Sequence, residues 1–130
     1  MWEARLAADE GVNAIVFSNH GGRQLDGTPA SIDVLPGIAH SVSDRTEVLF
    51  DGGIISGQSL LKALALGARG ALIGRAFLYC LGASGEAGVT TAIEIIRNEL
   101  DVSMALTGQR DVLSVSAGIL ERMDRGGRHF

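Results

Sequence analysis

The sequence predicts an α/β protein built on a parallel sheet. Short apolar runs of strand type occur at 13–17, 46–50 and 70–74 (NAIVF, TEVLF and GALIG). Each is followed by a glycine-containing loop and then by a helix-like stretch, the repeat of βα units. The runs are continuously apolar, as expected of strands covered on both faces. The chain has 130 residues, one domain's worth, and a chain near this length buries roughly two-thirds of its unfolded surface.

Taken in order, residues 2–10 read as the tail of a helix stopped by Gly11. The first strand, 13–17, opens into a long loop over 18–30. A helix is expected next, with Asp33 as its N-cap and Pro36 in its first turn, where a missing N–H is tolerated. The second strand, 46–50, is closed by Asp51-Gly52-Gly53. Residues 57–68 form an amphipathic helix with Gly67 near its end, and 70–74 form the third strand. A short helix over 76–82 precedes the longest one, 86–108, in which Val89, Ile93, Ile96 and Leu100 recur on one face. Residues 1–123 read as one unit, and 124–130 as a frayed tail.

Composition excludes several classes of function. Apolar residues make up 46% and charged residues 20%, so the chain reads as globular. The net charge of −4 argues against a nucleic-acid partner. No apolar run approaches the roughly 20 residues of a membrane span. The acidic start, MWEARLAADEG, is unlike a signal peptide. The single cysteine, Cys80, excludes an internal disulfide and a Cys-based zinc site, and no metal site is expected.

Three loops could carry chemistry, and each follows a strand, where parallel α/β proteins bind ligands. In the first, Ser18-Asn19-His20-Gly21-Gly22-Arg23, a histidine suited to general-base work lies three residues before an arginine suited to a carboxylate. A base beside a carboxylate clamp is what proton abstraction next to a carboxylate requires. The bland alternative is a polar turn with a surface histidine. The second loop, Asp51-Gly52-Gly53, leads to a helix starting at Gly57 or Gln58, and helix N-termini favour phosphate. The third, Gly74-Arg75, also opens a helix. Each of the last two alone reads as a turn; together, after successive strands, they favour phosphate. His40, Glu86 and Glu94 are expected to face solvent. Cys80 is expected to pack, Lys62 to snorkel from its helix, Trp2 to pack against a neighbouring element, and His129 to lie in the tail.

SNHGGRQLDG, then DGG, then KALALGARGALIGRAFLY resembles the FMN-dependent α-hydroxy acid dehydrogenases and oxidases. The later GEAGV…EIIRNELDVSMALTG is most similar to the bacterial L-lactate dehydrogenase branch. The resemblance spans roughly residues 5–115. It implies the last three βα units of a TIM (β/α)8 barrel, an incomplete barrel, with FMN as cofactor and a small 2-hydroxy acid as substrate. His20 would be the catalytic base and Arg23 the substrate-carboxylate ligand. Ser18 would contact the flavin, and Asp51, Gly52, Gly53, Gly74 and Arg75 would hold the ribityl chain and phosphate. A barrel of the inosine-monophosphate dehydrogenase type would share DGG and GR but not SNHGGRQLD.

The chain departs from the family pattern in two places. Ile55 stands where an arginine usually reaches the phosphate, a loss of roughly 1.5–3 kcal/mol for one charged hydrogen bond. Ser59 stands where the family often has Asp. The flavin-side lysine, the carboxylate that orients the histidine and the active-site tyrosines belong to a part of the family's barrel outside this sequence, since Lys62 lies inside a helix. A complementing N-terminal chain or a homo-oligomer is therefore an expected partner, and the chain alone is expected to be inactive. The expected location is cytoplasmic, with peripheral contact at the inner membrane as an alternative that no basic amphipathic anchor here supports.

Overall fold

The computed structural model describes residues 1–42 and 45–121. The expected tail at 124–130, with His129, lies outside the described residues. Helix α1 (Trp2–Asp9) leads to strand β1 (Ala14–Ser18). Helix α2 (Ser31–Val42) and strand β2 (Glu47–Asp51) follow, then helix α3 (Gly57–Ala65) and strand β3 (Gly70–Leu72). Helix α4 (Arg75–Leu106) completes the regular elements, before single 3-10 turns at Val112–Ser114 and Ala117–Ile119. No helix among the described residues is long and apolar enough to cross a membrane.

The strands form one parallel sheet in the order β1-β2-β3. Its register sets Ser18 beside Asp51 and Asp51 beside Leu72. The carboxyl ends are therefore level, and the three candidate loops leave the sheet along one line.

One face of the sheet is packed. Ile15 and Phe17 of β1, Val48 and Phe50 of β2 and Ala71 of β3 meet Leu35, Ile38 and Val42 of α2, Ala63 of α3, and Ala4 and Ala8 of α1. Phe50, Leu35 and Val42 are fully buried, each stabilising the fold by about 1.5–3 kcal/mol. The opposite face carries the alternate residues, as the pleat requires. There Val16 is 55% and Leu72 42% exposed. Among the described residues the expected cover on both faces is thus seen on one face only, where α1, α2 and α3 supply the core.

Several boundaries differ from expectation. Helix α2 starts at Ser31, so Asp33 lies in its first turn instead of capping it, and the Asp33 N–H donates to the Ala30 carbonyl at 3.0 Å. Ile32 packs against the core, and burial draws the helix start upstream of the residue favoured by capping propensity. Pro36 consequently falls in the second turn.

The two expected helices at 76–82 and 86–108 run together as α4, broken by non-helical backbone at Ser84 and Gly85. The buried stripe of α4 is Ala92, Ile96 and Ser103, while Ile93 faces out. The cause is Gly57. A Cβ there would stand 2.1 Å from the Leu100 nitrogen and 2.5 Å from the Ile96 oxygen, so the backbones of α3 and α4 touch. That approach requires small residues and turns Ile93 away. Trp2, expected to pack, is 70% exposed.

Candidate functional site

The first loop is fixed by short-range hydrogen bonds. The Ser18 hydroxyl donates to Asp51 Oδ2 at 2.5 Å and accepts from the His20 N–H at 3.0 Å. Asn19 Oδ1 accepts from the Gly21 N–H at 3.0 Å, and Asn19 Nδ2 donates to the Pro29 carbonyl at 3.3 Å. These contacts hold a 3-10 turn, His20–Gly22. His20 has φ 54°, the only positive φ outside glycine among the described residues. A left-handed non-glycine residue costs on the order of 1–3 kcal/mol. The brace from Ser18, itself anchored on the neighbouring strand, holds the residue there with its side chain exposed.

His20 and Arg23 share the wall of a cavity of about 200 Å³ with Asp51, Gly52, Gly53, Gly74 and Arg75. Seven of the eight residues singled out from sequence thus meet in one place, although they come from loops after three different strands. Ser18 is outside that wall; its hydroxyl is engaged in the brace. Leu72 and Leu78 add an apolar side, and Ile55, 69% exposed, lies at the same cavity.

The second loop narrows at Gly52, whose φ is 125°. A Cβ there would lie 2.8 Å from the Ser31 hydroxyl and 3.3 Å from Asn19 Oδ1, so no side chain fits. A Cβ at Gly53 or Gly74 would meet nothing within 4 Å, which leaves their backbone open to a ligand.

The helix starts divide differently from expectation. At α3 the Ser56 hydroxyl accepts from the Ser59 N–H at 3.1 Å, and Glu99 Oε2 accepts from the Gly57 N–H at 2.8 Å. The chain's own carboxylate takes the place expected for a phosphate. The start of α4, at Gly74, has no side-chain cap and carries Arg75 in its first turn. An anion at this cavity therefore has Gly53, Gly74 and Arg75 as its available partners.

Sequence reasoning missed three contributors. Ser31 and Lys62 line a second cavity of about 390 Å³ on the other side of Gly52-Gly53-Ile54. Lys62 is exposed at that cavity, beyond the simple snorkelling expected of it. Glu99 acts through a contact 42 residues away from Gly57, for which the local sequence has no signal.

The donor set fits FMN. Open glycine backbone, an uncapped helix start and an arginine suit a phosphate, and the apolar wall beside His20 suits a flat ring. Comparison with known proteins agrees. Residues 1–122 match the family model of the FMN-dependent dehydrogenases. An L-lactate dehydrogenase of Caulobacter vibrioides is 56% identical over 126 residues, covering 96% of this chain and 33% of that protein. A pre-mycofactocin synthase of Mycobacterium tuberculosis is 49% identical over 114 residues, covering 88% and 29%. Mandelate oxidase with benzoyl-formic acid superposes with a TM-score of 0.82 at 47% identity, over 85% of this chain and 33% of that one. A mandelate oxidase variant holding a monooxide FMN adduct superposes equally well, at 0.82. The chain spans about a third of the length of these relatives, and its three βα units are part of a TIM barrel. The chain belongs to the FMN-dependent dehydrogenase family.

Proposed function

We propose that this chain supplies the base, the carboxylate clamp and the phosphate end of an enzyme oxidising a 2-hydroxy acid, of the L-lactate class, to the 2-oxo acid. The observation that carries the reading is the shared cavity of His20, Arg23, Gly53, Gly74 and Arg75 at the carboxyl ends of parallel strands. The guanidinium of Arg23 binds the substrate carboxylate through two parallel hydrogen bonds and fixes which face of C2 is presented. The imidazole of His20 takes a proton as the alcohol becomes a carbonyl. The brace from Asp51 through Ser18 keeps the His20 backbone in its left-handed conformation, so the imidazole starts in place. Gly53, Gly74 and Arg75 would hold the phosphate of FMN, which when bound would accept the two electrons and the second hydrogen lost from the C2 alcohol.

The second reading is that the chain is a non-catalytic module that works only with a separate N-terminal chain. It is favoured by the open sheet face. Titration of the purified chain with FMN and with riboflavin, followed by flavin fluorescence, tests the phosphate end. Saturable binding of FMN but not riboflavin is expected. Equal binding of both would remove Gly53, Gly74 and Arg75 from the proposed site, and no binding by folded chain would mean that the phosphate end cannot stand alone. Lactate-dependent dye reduction by the chain alone is expected to be negligible. Turnover abolished by His20→Ala would instead show a self-sufficient enzyme.

A further inference from the structure

We infer that the cavity between the first loop, the start of α2 and the flank of α3 is a second oxyanion site, for a phosphate-sized anion. It goes beyond the FMN reading and does not depend on it. Ser31 is 4% exposed, and its hydroxyl has no hydrogen-bond partner. It is the one buried side-chain polar atom left so among the described residues. Buried hydroxyls are nearly always paired, so an unpaired one on a cavity wall points to a missing ligand. Gly52, on the same wall, lacks the Cβ that would stand 2.8 Å from this hydroxyl, and the approach stays open.

Ser31 is also the first residue of a 12-residue helix. The leading N–H groups of a helix have no intrahelical acceptors and favour negative charge. Lys62 and Arg75 line the cavity, and no carboxylate is among its described lining residues. Asp33, in the first turn of α2, is exposed and stands outside the wall. An anion here would accept from Ser31 and the start of α2 and pair with Lys62. The site adjoins the flavin cavity and differs from it by Ser31 and Lys62, which line this cavity alone, and by lacking His20, Arg23 and Gly74. The two share Gly21, Gly52, Gly53, Ile54 and Arg75 as a common wall.

The test is a titration of the full chain with inorganic phosphate, read by thermal shift and by 31P line broadening, in wild type, Ser31→Ala and Lys62→Met. Wild type should show saturable stabilisation. Lys62→Met should weaken binding by roughly tenfold or more, the effect of losing one charged contact. Ser31→Ala should do two things that a merely structural serine would not: lose phosphate affinity and raise Tm in phosphate-free buffer, because an unpaired hydroxyl is gone. Glycerol 3-phosphate, run alongside, separates a phosphomonoester ligand from free phosphate: the tighter binder names the source, and either dependence on Ser31 and Lys62 supports the site. Unsaturable binding, or binding unchanged in both variants, would overturn it. So would phosphate binding that FMN abolishes while both variants retain it, since the anion would then occupy the flavin cavity.

Discussion

At Ser18 a single hydroxyl joins two strands and fixes the backbone of the proposed base. Ser18→Ala would leave the Asp51 carboxylate and the His20 N–H without their partner. The expected cost is roughly 1–3 kcal/mol in urea unfolding. An unchanged midpoint would show that His20 keeps its left-handed turn unaided. Gly52 is more demanding. At φ 125°, with Ser31 and Asn19 against the missing Cβ, Gly52→Ala should cost at least on the order of 1–3 kcal/mol. It should also perturb both cavities, since Gly52 lines each; FMN fluorescence and thermal unfolding would register both effects. The run from Ser18 to Arg23 could be read as a site because the base, the clamp and the permissive glycines are contiguous. The Ser18–Asp51 brace could not. Those residues are 33 apart, and their meeting depends on a strand register that composition does not encode.

Between elements, the closest contact is where α3 crosses α4. Gly57 lies on the backbone of Ile96 to Leu100, and its N–H is held by Glu99. Gly57→Ala places a methyl on main-chain atoms that have no rotamer to yield, and overpacking of this kind costs typically 1–3 kcal/mol. Glu99→Gln keeps an acceptor for the Gly57 N–H but removes a charge from a helix N-terminus, a milder loss of about 0.3–1 kcal/mol. Thermal unfolding of the two variants should rank them in that order; the reverse would mean that the carboxylate, and not the close approach, holds α4 in place. Strand and helix alternation was legible because each strand run has an apolar centre and each loop that follows a strand carries glycine. The inward face of α4 was not. Periodicity favoured the large residues Val89, Ile93, Ile96 and Leu100, whereas a partner with glycine at the crossing selects Ala92, Ile96 and Ser103. The start of α2 was missed for a related reason, since burial of Ile32 outweighs the capping preference of Asp33.

For the whole molecule, the governing fact is a three-stranded parallel sheet with one packed face. β1 and β3 each leave one edge without a strand partner in the described sheet, and Val16 and Leu72 stand on the open face. Open edges next to apolar surface favour association. The isolated chain should therefore self-associate as concentration rises, and sedimentation should show it. Val16→Lys places a charge on the open face without touching the packed one, so it should reduce association and leave the melting transition nearly in place. The same face should accept a natural complement. Co-expression with the N-terminal two-thirds of the Caulobacter L-lactate dehydrogenase should yield a heteromeric complex in place of the self-associated chain. If the proposed function holds, that complex should bind FMN and reduce a dye with L-lactate, and His20→Ala should abolish the turnover without dissolving the complex. Val16→Lys should then impair assembly itself. A complex that forms equally well with lysine at position 16 would show that the open face is not where the remaining units dock.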